Sequence, residues 1–175
     1  MWNHKGCQTG GVVATVALLF FTFPIPTRAE VSEVSLKDLI AKSETIVVAK
    51  VSKLEDGPVD LKPVEADYPP VKVATAEVIE TWKGAKVGEV RYVGSPTRYC
   101  DIAKARVGER VVLFLEKQQG SAIMMIAHVG RGRMPLQEVE GESYAAVPPE
   151  VQLPKGITKS ILLSNLAKMV RENSR

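Results

Sequence analysis

Three residues of the types that thiol hydrolases use occur in the second half of the chain. Cys100 is followed directly by Asp101, and His128 is the next histidine along the sequence. In a thiol hydrolase a histidine activates the sulfur and an acid orients that histidine. The sequence around Cys100 has neither a nucleophile elbow nor the local signature of a thiol protease. Because free cysteine is among the most buried residue types, we predict no catalytic residue and keep a hydrolase based on Cys100 and His128 as an alternative.

Carboxylates are concentrated in residues 54–70, together with Gly57 and four prolines. Glycine and proline at this density predict a long surface loop. The carboxylates of this segment are Glu55, Asp56, Asp60, Glu65 and Asp67. Their spacing does not match the D-x-D-x-D-G order of a calcium-binding loop, so we predict no metal site.

The same acidic segment is predicted to provide a binding surface. Long loops that prolines hold in place present a surface at a low cost in ordering entropy. We expect the loop to act together with two turns, residues 83–86 and 95–98. The predicted contact residues are Asp56, Asp60, Glu65, Asp67, Tyr68, Trp82 and Arg98. Trp82 has a second interpretation, a buried aromatic residue at a strand end, because tryptophan is highly buried on average.

The first 29 residues have the layout of a removable export signal. Lys5 precedes an apolar run of thirteen residues at 11–23, and the small residues Thr27 and Ala29 stand at the −3 and −1 positions of a cleavage site. The run is shorter than the roughly 20 residues that a membrane-spanning helix needs. We expect cleavage near Ala29, a secreted or periplasmic protein, and no transmembrane span in the mature chain. A short uncleaved anchor or a buried helix is the alternative.

Removal of this signal would leave a nearly neutral protein. The chain has 23 basic and 20 acidic side chains, and the signal contains Lys5 and Arg28 and no acid, which leaves 21 basic side chains against 20 acidic ones. Such a balance gives no general argument for a nucleic acid or an anionic membrane as partner.

Cysteine and histidine counts exclude further classes of site in the mature chain. Cys7 and His4 lie in the signal, so Cys100 and His128 are the cysteine and histidine that remain. A single cysteine forms no intramolecular disulfide, and the pair cannot supply a zinc cluster of cysteines and histidines. An intermolecular disulfide through Cys100 stays open as an alternative. We predict no cofactor.

Short strands separated by turns, with a helix at each end, predict a small antiparallel barrel or sandwich. Ser35 is the predicted N-cap of the first helix, and a bulge or bend is expected near Ala76. Strands are predicted at residues 45–53, 71–82, 89–94, 110–116, 122–128, 134–139 and 143–147, and a C-terminal amphipathic helix at 158–172. The strand at 110–116 is apolar on both faces, which is typical of a central, covered strand. One domain is expected, with the barrel at 30–147 and a connector and packed helix at 148–175.

The order of several sequence blocks resembles a known module. The blocks are residues 46–51 (IVVAKV), 76–84 (AEVIETWKG), the pair Tyr99 and Cys100, and 107–115 (VGERVVLFL). They are similar to bacterial secreted proteins related to the tissue inhibitors of metalloproteinases, which share the netrin-like module. The resemblance covers about residues 36–116 and implies a mainly β, five-stranded Greek-key barrel of the OB type with helical additions, and a non-enzymatic role. In the eukaryotic inhibitors an N-terminal cysteine chelates the protease zinc, whereas a mature chain beginning at Glu30 has no cysteine there.

A barrel of this type can bind oligonucleotides on one face. The side chains that would line such a groove are Arg91, Arg98, Tyr99, Arg131 and Arg133. Export and near-neutral charge oppose this use, so these arginines are interpreted as scattered surface residues and no nucleic acid is predicted.

The sequence therefore predicts a secreted or periplasmic, non-catalytic binding module whose partner is another protein or an envelope component. The alternatives are the thiol hydrolase and a structural envelope protein that self-associates through an open barrel edge.

Overall fold

The computed structural model describes residues 33–57, 71–95, 104–128, 130–157 and 159–174. The predicted export signal lies outside these ranges. In chain order the elements are β1 (Val34–Ser35), α1 (Leu36–Lys42), β2 (Thr45–Asp56), β3 (Lys72–Lys83), β4 (Glu89–Ser95), β5 (Arg110–Lys117), β6 (Met124–Ile126), β7 (Arg133–Val139), β8 (Glu142–Ala146), β9 (Val151–Gln152), β10 (Ser160–Leu162) and α2 (Leu163–Asn173).

Five strands close into a barrel in the order β2, β3, β4, β6, β5, and β5 pairs again with β2. The pairing of β4 with β6 is parallel, through Tyr92 and Met124, and the other barrel pairings are antiparallel. The prediction of a mainly β protein with a small OB-like barrel and two helices is confirmed.

The apolar residues of β5 are divided between two cores. Val111, Leu113 and Leu115 join the cluster formed by the barrel strands, whereas Val112 and Phe114 join a second cluster that includes both helices. Successive side chains of a strand point to opposite faces, so each cluster takes alternate residues. This division explains why the strand is apolar on both faces, and the prediction of a central, covered strand is confirmed.

The start of β3 and the end of β2 differ in detail from the sequence prediction. The loop expected from residue 54 begins later, because β2 continues to Asp56, which pairs with Lys72. The ladder shifts between Val51 and Lys53, opposite Ala76 and Thr75. The bulge expected near Ala76 is therefore present at this level of the ladder, but the extra residue belongs to the partner strand.

A small antiparallel sheet extends from the barrel. Strand β7 pairs with β5, β8 pairs with β7 as the predicted hairpin, and β10 pairs with β8. The C-terminal helix was predicted from residue 158, but it begins at Leu163, because residues Ser160–Leu162 add a strand to the edge of β8. Ile161, expected on the helix stripe, is buried as part of that strand. Strand β6 is also shorter than the predicted 122–128.

Helix α1 is held at both ends. The Ser35 hydroxyl oxygen accepts a hydrogen bond from the Asp38 N–H at 3.0 Å, which confirms the predicted N-cap. At the other end the Lys83 ammonium donates to the carbonyl oxygens of Ile40 and Ala41, at 2.8 and 3.1 Å. Positive charge is favourable at a helix C-terminus. The two hydrogen bonds of Lys83 therefore stabilise the packing of α1 against the end of β3. Neither described helix is long and apolar enough to cross a membrane.

Candidate binding cleft at one end of the barrel

A cleft of about 400 Å³ lies where β5 begins, between the segment that precedes this strand and the small extension sheet. Its polar side chains are Lys104, Arg106, Glu109, Arg133 and Gln137, and its apolar residues include Pro135, Val147 and Pro149. The volume is at the lower end of the range of about 300–1,000 Å³ that ligand sites occupy.

Two of the residues that line the cleft form a largely buried ion pair. Arg133 is only 4% exposed, and its Nη2 donates to Oε2 of Glu109. The other carboxylate oxygen of Glu109 accepts the backbone N–H of Arg106 at 2.8 Å. Both oxygens of Glu109 are thus engaged, one with the buried cation and one with the chain that forms the rim. The ion pair therefore fixes the backbone of the segment that carries Arg106.

Tyr92 lies behind this ion pair, inside the barrel. Burial raises the pKa of its hydroxyl, the neighbouring Arg133 guanidinium opposes that rise, and the Glu109 carboxylate adds to it. The side chain is fully buried in the cluster of the barrel strands. The ion pair of the cleft therefore has a buried, neutral phenol as its neighbour.

The placement of Arg133 follows from the path of β7. Arg133 is opposite Leu113, a residue of the barrel-strand cluster, and opposed residues of an antiparallel pair point to the same side of the sheet. The same edge of β5 pairs with β6 further along, from Leu115 to Lys117. Arg133 therefore begins β7 close to the point where β7 replaces β6 as the neighbour of β5, and its side chain is buried there.

Gly132 makes this junction possible. A Cβ at this position would lie 2.6 Å from the Phe114 carbonyl oxygen and 2.9 Å from its Cβ. The Gly132 oxygen accepts the Phe114 N–H at 2.7 Å, and its N–H donates to the Ala127 oxygen at 3.0 Å. Close backbone approach thus requires glycine immediately before the buried arginine.

The cleft and the base of the acidic loop lie at the same end of the barrel. Strand β2 leaves this end at Asp56, whose carboxylate pairs with the Lys72 ammonium at 2.6 Å, and Gly57 donates to the Val71 oxygen at 2.7 Å. Lys72 is also opposite Ser95. The carbonyl oxygen of Gly94, the residue before Ser95, accepts a hydrogen bond from the N–H of Ala105. Ala105 directly follows the cleft residue Lys104.

The turn at 83–86, expected beside the acidic loop, lies at the other end of β3. Lys72 begins this strand at the base of the loop, and Lys83 ends it eleven residues later. At about 3.3 Å per residue the strand separates the two by up to about 36 Å of strand length. The turn and the base of the loop therefore lie at opposite ends of this strand and not side by side as expected.

Trp82 is also not part of an exposed surface. It is 8% exposed and packs in the cluster that contains both helices. The second interpretation of Trp82, a buried aromatic residue at a strand end, is the correct one.

Of the remaining predicted contact residues, the structure describes Asp56. The others lie outside the described residues: Asp60, Glu65, Asp67, Tyr68 and Arg98.

Of the arginines that were interpreted as surface residues, the structure describes Arg91, Arg131 and Arg133, and these differ in burial. Arg91 is exposed and donates to Glu55 at 2.9 Å. The pKa of Glu55 is lowered, first by its hydrogen bond with Lys53 and then, to a smaller degree, by Arg91. Arg133 is buried, so that interpretation is wrong for this residue. The sequence signal that points to it is the glycine before it, which indicates a close backbone approach.

Of the residues proposed for a thiol hydrolase, the structure describes His128. Its backbone is left-handed, with φ 51°, and its Nε2 is buried without a hydrogen-bond partner in the described part of the chain. Burial and then the Lys42 charge lower the pKa of the imidazole. Cys100 and Asp101 lie outside the described residues, so the hydrolase stays a prediction. Among the residues described, no group of three or more histidine, cysteine or carboxylate side chains could hold a metal ion.

Comparison with known proteins gives no relative from which a role could be transferred. No protein-family model matches the chain, and no curated protein is significantly similar to it. The cleft is therefore interpreted from its own residues.

Proposed function

We propose that the protein is a non-catalytic binding module, secreted or periplasmic, that contacts another protein or an envelope component through the end of the barrel that carries the cleft. The observation that supports this proposal is the cleft of about 400 Å³, backed by the buried pair Arg133 and Glu109, at the same end as the base of the acidic loop.

Rigidity makes this end suitable for binding. The hairpin base is fastened by the pair of Asp56 with Lys72 and by the hydrogen bond from Gly57 to Val71. Glu109 fixes the rim backbone at Arg106. A surface that is ordered before it meets a partner loses less conformational entropy on binding. Residues 58–70, which the base carries, are part of the proposed contact surface.

A relation to the netrin-like module is part of the proposal. The closed barrel with two helices is compatible with it. The chain would use the barrel end for binding, since a mature chain that begins at Glu30 has no cysteine with which to chelate a protease zinc.

The test is a crosslinking pull-down of the purified protein from the envelope extract of its own source. In the test variant a short Gly-Ser linker replaces residues 58–70, with Gly57 and Val71 retained so that the hairpin base still closes. In the matched control the exposed Lys86, at the opposite end of β3, is replaced by glutamine.

We expect the loop variant to lose the crosslinked partner and Lys86→Gln to retain it, at unchanged melting temperatures. Retention of the same partner by both variants would overturn the proposal.

A further inference from the structure

His128 lies in the turn that joins β6 to β7. Its Nε2 atom is buried and has no hydrogen-bond partner in the part of the chain that the structure describes. The backbone is left-handed, with φ 51°, a conformation that histidine, asparagine and aspartate adopt more often than other residues with a side chain. The fold therefore holds this imidazole with one nitrogen shielded from water.

Four charged side chains from three parts of the fold act on the imidazole. The cations are Lys42 of α1 and Arg131 of the turn itself, and they oppose a positive charge on His128. The carboxylates are Asp38 of α1 and Glu116 of β5, and they favour it. Burial is the largest influence and Lys42 the next, and together they lower the pKa of the imidazole. The folded chain therefore favours the neutral imidazole.

The turn is attached at both ends to one residue of β5. The Ala127 N–H donates to the Phe114 oxygen at 2.9 Å, and the Phe114 N–H donates to the Gly132 oxygen at 2.7 Å. The Gly132 N–H in turn donates to the Ala127 oxygen at 3.0 Å. His128 directly follows Ala127, and the cleft residue Arg133 directly follows Gly132. His128 is therefore adjacent to the attachment that also positions Arg133.

We propose that His128 is an acid-sensitive switch of this turn: when the imidazole takes up a proton, the closed arrangement is weakened and the two hydrogen bonds between the turn and Phe114 open more often. A protonated imidazole carries an N–H on both ring nitrogens. The described structure has no acceptor at Nε2, and a buried charged donor without a partner is unfavourable. Water supplies the acceptor once the turn opens, so the protonated chain favours the open arrangement.

The pH range of the switch follows from the direction of this effect. The ordinary pKa of histidine is 6.5, and the pKa of His128 in the folded chain is lower. Well above pH 6.5 the imidazole is neutral in both arrangements, and the closed one has its full stability. As the pH falls below 6.5, the open arrangement takes up the proton first, so the closed one loses stability until its own imidazole is protonated.

The test measures hydrogen exchange of the ¹⁵N-labelled purified protein at pH 7.5 and 5.5, with rates corrected for the intrinsic effect of pH. We expect the protection of the Phe114 and Ala127 amides to fall at least about two-fold at the lower pH. The Val51 amide, which donates to the Glu109 oxygen at 2.9 Å and lies outside the turn, should change less. In His128→Asn the protection of Phe114 and Ala127 should be the same at both pH values, because asparagine tolerates the left-handed backbone and does not titrate.

Two charge variants test the electrostatics while His128 is retained. The imidazole signal of His128, assigned through its own backbone signals, gives the titration midpoint by nuclear magnetic resonance. Lys42→Gln is expected to raise this midpoint and Glu116→Gln to lower it, because the lysine opposes the charged form and the glutamate favours it. These variants keep the inference testable if His128→Asn does not fold.

Three results would overturn the inference. A midpoint at or above 6.5 would show that the folded chain does not favour the neutral imidazole. An equal loss of protection in the parent protein and in His128→Asn would show that another group responds to acid. An equal loss at Val51 and Phe114 would show a general weakening of the fold. None of these results bears on the proposed binding function, which the pull-down tests by itself.

Discussion

At the scale of single residues, Arg133 and Glu109 form an ion pair that is largely buried. The two side chains are 5% and 16% exposed, so both charges are largely removed from water. A buried charge is tolerated when it is paired and hydrogen-bonded, and removal of one partner leaves the other uncompensated. Arg110 of β5 and Glu138 of β7 form a comparison pair at 2.6 Å, with side chains 41% and 53% exposed.

We predict that Arg133→Met lowers the free energy of unfolding by about 3 kcal/mol, because Glu109 then loses its buried partner. The double variant Arg133→Met with Glu109→Gln is expected to recover much of that loss, since no isolated charge remains. Arg110→Met is the matched control, and an exposed pair contributes about 0–1 kcal/mol. Urea unfolding measures all three variants, and an equal effect of the two single arginine substitutions would contradict the prediction.

Tyr92 gives a prediction of pH dependence. Burial, in first place, raises the pKa of its hydroxyl above the ordinary value of 10.0. As pH rises past about 10, the unfolded chain loses this proton while the folded chain retains it, so the unfolded state is favoured. The free energy of unfolding should therefore fall above pH 10, by at most about 1.4 kcal/mol per pH unit from this group.

The measurement is urea unfolding at pH values from 7 to 11. Tyr92→Phe is expected to remove this part of the slope. Tyr144→Phe is measured beside it. The hydrogen bond that the Tyr144 hydroxyl donates to Glu142 at 3.0 Å also raises the pKa of that hydroxyl, so this variant is expected to remove a smaller part of the slope, because Tyr144 is less deeply buried than Tyr92. A slope that is unchanged in Tyr92→Phe would show that this residue is not its source.

At the scale of elements, the junction between β5 and β7 determines whether the cleft exists. Strands β6 and β7 share one edge of β5, and the change from one to the other occurs at Gly132. The strand hydrogen bond from the Phe114 N–H to the Gly132 oxygen holds β7 close, so that the next side chain, Arg133, enters the barrel junction.

We predict that Gly132→Ala lowers the free energy of unfolding by about 2–3 kcal/mol, because the added methyl group would overlap the backbone of Phe114. Gly88→Ala is the matched control, since a Cβ at Gly88 would have open space around it. Thermal unfolding followed by circular dichroism measures both. Equal melting temperatures for the two variants would show that the junction accommodates a side chain.

At the scale of the whole molecule, the two helices and the outer face of the barrel share one core. Trp82 of β3, Phe114 of β5 and Leu166 of α2 belong to the same buried cluster. Loss of the helix would expose the outer residues of the barrel strands, so the barrel and α2 are expected to unfold together.

We predict that Leu166→Ala lowers the free energy of unfolding by about 3 kcal/mol, because it leaves a cavity at a fully buried position. The exposed Lys168→Ala is the control, with an expected change within about 0.5 kcal/mol. Trp82 fluorescence, with Trp2 replaced by phenylalanine, is compared with far-ultraviolet circular dichroism. In Leu166→Ala the unfolding midpoints measured by fluorescence and by circular dichroism should both decrease and should coincide. A separate transition of the helix would refute the shared core.

Local chemistry was sufficient to predict several elements from the sequence alone. The Ser35 N-cap, the hairpin of β7 and β8 around Glu140 and Gly141, and the doubly covered strand β5 all follow from side-chain periodicity and turn residues, which act over a few positions. Only the tertiary structure decided which residues meet. It buried Arg133 beside Glu109, because strand pairing brings a residue of β7 against the segment before β5. It separated the turn at 83–86 from the acidic loop, because a strand places its ends far apart. Arg133 is buried because strand pairing places it opposite Leu113 and beside Glu109, and both residues are about twenty positions away in the sequence.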